Sequence, residues 1–316
     1  MLSYDGLAVS EDYSTDYLKL LFKNDHGKLI SFDDHIKKYE ETLYNDNLSG
    51  NTIGIYLHTV TSYYKEYGQI SKTNLLAWKQ NMIDIKKNKP ATVNLRVISM
   101  NRYLLFCKKY DLRLREVKSP SKNFLDKVVT LKQYQKLKSC LLRDNKKKLY
   151  NIICVFGVTG VRVSELIKLN VGDIKEGQAD IHSKGDRIRR VYIPKNLRIQ
   201  LLDYLKEEGR SDADDLEPLF LNKNGVRMAT RGVQSLVHSA GISYNIPGLH
   251  CHAFRHMFAY AWLDQMSRTR HKNGNIEYGV LPMLAEILGH KSLNTVMIYL
   301  KPGSEQLREY AEKINW

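Results

Sequence analysis

Four cysteines in 316 residues, Cys107, Cys140, Cys154 and Cys251, stand far apart and form no Cys-x-x-Cys pair. That spacing argues against a disulfide framework and against a cysteine zinc site, so the four read as reduced thiols. The phosphate-cradling Gly-x-x-x-x-Gly-Lys-Ser/Thr loop and the dinucleotide fingerprint are absent, as are internal repeats and low-complexity tracts. ATP or NAD dependence therefore has no support in the sequence. No apolar run approaches the roughly 20 residues of a membrane span. Met1 to Ser10 carries neither the basic nor the apolar segment of a secretory signal. The expectation is a cytoplasmic protein without membrane association.

Positive charge is what the chain has in quantity. Its 49 lysines and arginines against 34 acids give a net charge of +15, and the pI is near 9.4. Solubility does not need such an excess, and it implies a polyanionic partner, nucleic acid first. The excess is uneven: residues 1–28 are net −2, residues 29–118 net +6 and residues 119–316 net +11. A hydrophobic content of 43% with 26% charged residues is a globular balance, and the length suits one large or two ordinary domains.

From Ser31 the chain reads as short amphipathic helices. Ser31 is a cap ahead of Asp33 and Asp34, a second helix runs from Asn51-Thr52 to before Gly68, a third from Thr73 to about Lys87, and a fourth follows Pro90 through Val93, Val97, Met100 and Leu104 to Tyr110. Residues 29–112 thus form a small helical domain behind an acidic extension, 1–28. Residues 113–127 read as a linker and 128–316 as a second domain. There Thr130 caps a helix, the buried helix Leu149–Val158 leads into the Thr159-Gly160 turn, and another helix starts near Val163. Ala179–Ser183 and Arg190–Pro194 alternate as two strands about a Lys184-Gly185-Asp186-Arg187 turn.

The residues that carry chemistry lie in this second domain. Thr159-Gly160-Val161-Arg162-Val163-Ser164-Glu165-Leu166 is followed by His252-Ala253-Phe254-Arg255-His256, then by Leu288-Gly289-His290 with Tyr299 beyond. Two arginines that keep their charge, histidines that exchange protons and a phenol suit a reaction on a phosphodiester. His252 and His256 lie one helical turn apart, but the glutamate of His-Glu-x-x-His is missing and Arg255 between them repels a cation, so no metal is expected.

These blocks, in this order, resemble the tyrosine recombinase (phage integrase-like) family over roughly residues 30–305. The resemblance implies a mainly α fold with a small β-hairpin in the catalytic domain, two domains closing as a clamp on duplex DNA, and no cofactor. By the same resemblance Arg162 and Arg255 grip the scissile phosphate, Tyr299 is the nucleophile, Lys184 protonates the leaving oxygen, His252 accepts the tyrosine proton and His290 bonds the phosphate. Glu165 orients an arginine or histidine, and His256 supports its block from behind. Lys86, Lys87, Lys89, Asn94, Arg96 and Arg102, around the third and fourth helices, are candidates for contacts to DNA phosphates and base edges.

The partners so implied are double-stranded recombination sites, a homo-tetramer at synapsis and, in some systems, accessory DNA-bending proteins. Integration or excision of a mobile element is the expected role. Strand relaxation of the type IB topoisomerase kind is the alternative with the same chemistry, and a non-cleaving DNA-binding regulator the alternative without it. Ser267–Gly279 is longer than the connection in the simplest members and is expected to be a loop or small hairpin. The acidic extension is too short, and of the wrong charge, for a separate arm-type DNA-binding domain. Leu307–Trp316 is expected to be an amphipathic tail helix that docks on a neighbouring protomer.

Overall fold

The computed structural model describes residues 18, 20–23, 28–119, 129–183, 187–273, 279–289, 296–297 and 312. The chain divides into two units, Met1–Ser121 and Lys122–Trp316.

Among the described residues, the first unit has four α-helices, α1 (Phe32–Asn45), α2 (Gly50–Tyr67), α3 (Lys72–Asp84) and α4 (Pro90–Phe106), behind an antiparallel hairpin of β1 (Leu21–Lys23) and β2 (Leu29–Ser31). Local chemistry sets the helix starts. The hydroxyls of Ser31, Ser49 and Ser71 accept from the backbone N–H of Asp34, Thr52 and Asn74, and Pro90 opens α4, where a missing N–H costs nothing. The core is aromatic, with Tyr39, Tyr63, Tyr64, Trp78 and Tyr103 at 4% exposure or less. Three of the hydroxyls are paired: that of Tyr63 donates to the Gln69 carbonyl, and His35 Nε2 lies 2.8 Å from the Tyr103 hydroxyl, which lies 3.1 Å from that of Tyr64. Burial, then the nearby Lys38 charge, lowers the His35 pKa to about 4, so this imidazole sits in the core uncharged. Phe22 of β1 stacks on His35 with ring centroids 4.1 Å apart, so a boundary at residue 28 cuts through a packed hairpin.

The linker also starts later than its composition suggests. Residues 113–117 lie along α4, held by two asparagines that act as substitute peptide groups. Asn101 exchanges two 2.8 Å hydrogen bonds with the N–H and C=O of Leu114, and Asn94 exchanges bonds of 2.7 and 2.9 Å with those of Val117. Leu114 is buried in the first unit's core. Lys72 and Lys79 donate to the carbonyls of Arg113 and Arg115.

The second unit is organised around α6 (Lys147–Thr159), whose Asn151–Phe156 stretch is buried at every position. A helix apolar on all sides belongs at the centre of a domain. Around it pack α5 (Leu131–Arg143), α9 (Lys195–Glu207) and α11 (Cys251–Asn273). A reciprocal capping box between Thr130 and Gln133 starts α5. The single turn α7 (Val163–Leu166) and α8 (Val171–Glu176) lead to the antiparallel strands β3 (Gln178–Ser183) and β4 (Arg187–Tyr192), in which Ala179 faces Val191 and Ile181 faces Arg189. Beyond α10 (Thr230–Ser243) and α11, α12 (Val280–Leu288) packs on α11 and β4. Residues 267–273 continue α11, where a loop or hairpin was expected. Helix formers such as Arg and Lys there let the helix run on. No helix among the described residues is long and apolar enough to cross a membrane.

Candidate active site

The site begins where α6 stops. Gly160 closes the helix in the left-handed conformation (φ +63°), and a Cβ there would stand 2.5 Å from the Phe258 ring, so both backbone and space require glycine. The chain then turns extended at Arg162 and starts α7. Glu165, in that single turn, accepts the Arg162 backbone N–H at 2.7 Å on Oε2 and its guanidinium at 2.8 Å on Oε1. Arg162 is thereby gripped at both ends, while its side chain stays 35% exposed. A fixed and partly exposed guanidinium is what a phosphate-binding site needs.

Glu165 itself is 8% exposed and has a second partner, Arg189 of β4, whose Nη2 donates to Oε2 at 2.6 Å. Burial by itself would raise the carboxyl pKa; the Arg189 charge and the bonds from Arg162 and Arg189 outweigh it, and the carboxylate stays below its usual range. Sequence reasoning missed Arg189, although a signal was present. Ile188, Arg190 and Tyr192 face solvent, and Arg189 shares the inward phase with Val191, so a charge sits on the apolar side of the strand alternation.

Arg255 lies on α11 and is 0% exposed. Its Nη1 donates to the Gly160 carbonyl at 2.8 Å and its Nη2 to that of Leu288. The two arginines read alike from the sequence are therefore unlike in the structure: Arg162 reaches outward, and Arg255 lies beneath, on backbone carbonyls. His252 begins the same helix and is exposed, with its ring edge-on to that of His256, centroids 4.5 Å apart. Partial desolvation first, then the charges of Arg255, His250 and Arg162, lower its pKa, so the neutral imidazole is favoured. Among the described residues no group of three or more His, Cys, Asp or Glu is arranged to hold a metal ion.

Lys184, His290 and Tyr299 lie outside the described residues, as does the expected tail helix apart from Glu312. In the first unit, four of the six residues assigned to DNA already have partners there. Lys86 pairs with Glu66, Arg102 with Asp46, and Arg96 donates to His58 Nδ1 and Thr59 Oγ1. Exposed pairs such as Lys86–Glu66 are worth about 0–1 kcal/mol and exchange readily for a phosphate. The Asn94 amide is different: leaving Val117 would strand a backbone N–H and C=O, so it is a structural group. Lys87 and Lys89 are exposed at the start of α4.

An outward arginine fixed by a carboxylate and a second arginine buried on backbone carbonyls nearby concentrate positive charge at the end of α6. The protein belongs to the phage integrase family, whose pattern residues 127–305 match. It is 30% identical over 202 residues to the tyrosine recombinase XerC of Caldanaerobacter subterraneus subsp. tengcongensis, covering 63% of this chain and 54% of that protein. It thus spans about half the length of the XerC relatives it matches. To the tyrosine recombinase XerA of Pyrococcus furiosus it is 26% identical over 288 residues, 89% of this chain and 93% of the relative. The fold is also that of the Tn1549 transposon integrase solved in complex with transposon right end DNA, with a TM-score of 0.61 at 16% identity over 88% of this chain and 98% of the other.

Proposed function

We propose that this protein is a site-specific DNA recombinase that cuts and rejoins strands through a covalent 3′-phosphotyrosine. The observation that carries the reading is the Arg162–Glu165 pair, with buried Arg255 tied to Gly160 two residues before Arg162. In the proposed reaction Arg162 binds the non-bridging oxygens of the scissile phosphate, and its bonds strengthen as charge grows there; Arg255 adds positive charge from below. The Tyr299 oxygen attacks phosphorus as its proton passes to neutral His252, and the bond to the 5′-oxygen breaks. Lys184 gives that oxygen a proton, His290 donates to the phosphate, and Tyr299 remains joined to the 3′ end. Attack by the 5′-hydroxyl of a second strand reverses these steps and reseals DNA without ATP.

The net charge of +15 supports duplex DNA as partner. Likeness to a transposon integrase supports a mobile element as setting. A tetramer on two sites, in the cytoplasm, is the assembly proposed. The test uses a nicked duplex carrying the sequence that the protein selects from a randomised pool. The wild type is expected to form a covalent protein–DNA adduct and Tyr299→Phe none, with binding retained because only one oxygen is removed. An adduct that persists in Tyr299→Phe, or that moves to Tyr310, overturns the assignment. Relaxation of supercoiled DNA without need of a particular site would indicate a topoisomerase instead.

A further inference from the structure

Arg189 and Arg255 both end on the last turn of α12. Arg189 Nη1 donates to the Ile287 carbonyl at 2.7 Å and Arg255 Nη2 to the next one, of Leu288. Carbonyls in a last helical turn lack intrahelical partners and carry the negative end of the helix dipole, so a guanidinium is a fitting cap. These two caps come from elsewhere in the unit. Arg255 spans from Leu288 to Gly160, two residues before Arg162. Arg189 spans from Ile287 to Glu165, which grips Arg162. The end of α12 is thus tied twice to the loop that presents Arg162. Gly289, at φ +62°, lies so close over the Arg189 stem that a Cβ would stand 2.5 Å from its Cδ. The residue after this glycine in sequence is His290.

We infer that Arg189 is a positioning residue for the phosphate site: through Glu165 it fixes the Arg162 guanidinium, and through Ile287 it fixes the helix end that leads into His290. A buried ion pair is a poor device for stability alone, since an apolar pair of the same volume serves as well. Here the pair sets geometry. One carboxylate is shared between a buried arginine and an outward one, and both forks are planar and directional. Without Arg189 the carboxylate keeps Arg162 as a partner but loses the bond that sets its own position, and the helix end loses one of its two anchors.

The proposal rests on the recombinase reading, and the test separates the two. Adduct formation is timed in a single turnover, with DNA saturated, on two nicked duplexes of the selected site. One has the ordinary scissile phosphodiester; in the other a methyl group replaces a non-bridging oxygen and removes its charge. Arg189→Met is expected to bind DNA like the wild type and to slow cleavage of the phosphodiester by about 10²-fold, the scale that a 1 Å misplacement of a catalytic group imposes. On the neutral methylphosphonate it should lose far less, because little charge remains for Arg162 to offset. Arg189→Lys, which keeps the charge without the fork, should fall between. If Arg189→Met does not fold by circular dichroism, Arg189→Lys and Glu165→Gln carry the same comparison. Wild-type rates in the variants, or equal losses on both substrates, overturn the positioning role. A wild type that binds but never forms an adduct overturns the recombinase reading, and this proposal with it.

Discussion

A free imidazole is half protonated near pH 6.5, but His252 is held below that value by partial desolvation and by the positive charges of Arg255, His250 and Arg162. A base must be neutral to accept the tyrosine proton. Adduct formation by the wild type is therefore expected to stay level from about pH 8 down to 6.5 and to decline only below, as His252 takes up its proton. Stability has a matching sign. The unfolded chain binds the proton first, so this residue's contribution weakens as the pH falls below 6.5. A midpoint of activity at or above 6.5 in single-turnover measurements would show that some other group is the base.

At the scale of elements, the strap of residues 113–117 depends on two amides. Each asparagine satisfies one backbone N–H and one C=O that would otherwise be left unpaired against α4. Replacing Asn94 and Asn101 together by alanine is expected to release the strap. Unfolding of the first unit should need less urea, by about 1–3 kcal/mol for each group left unsatisfied, and limited trypsin digestion should cut at Arg113 and Arg115 faster than in the wild type. Unchanged digestion would mean that burial of Leu114 alone holds the segment. This strap shows where sequence reasoning stopped. The Ser31 cap, the proline start of α4, the helical spacing between polar breaks and the alternation of the two strands are local signals, and they placed the helices of the first unit and the hairpin within a few residues. The asparagine bridges join positions 13 and 23 residues apart and leave no periodicity to read. Asn94 therefore looked like a base-reading residue. Within the site Arg162, Glu165 and the histidine pair were visible as blocks. The Arg189 link runs 24 residues back to Glu165 and 98 forward to Ile287, and only the misplaced charge in the strand hinted at it.

At the scale of the whole molecule, the positive excess of residues 29–316 sets how binding answers to salt. A protein that covers 6–10 phosphates loses about 10³–10⁵ in affinity between 50 and 200 mM salt, through counterion release. Titration of the selected duplex across that range is expected to give a steep linear fall of log affinity against log salt. A shallow line would mean that few of these charges meet phosphate. Charge reversal at exposed Lys87 and Lys89 should flatten the line and weaken all sequences alike, whereas Asn94→Ala should leave it unchanged.

The double capping of α12 also bears on how the protein comes into being. The buried cations of Arg189 and Arg255 are synthesised well before the carbonyls of Ile287 and Leu288 that receive them. A buried charge that loses its partners costs several kcal/mol. A nascent or truncated chain ending short of residue 287 should therefore not settle into a phosphate site with Arg162 in place. The presentation of Arg162 and the completion of α12 are thereby coupled, although the two lie far apart in the sequence.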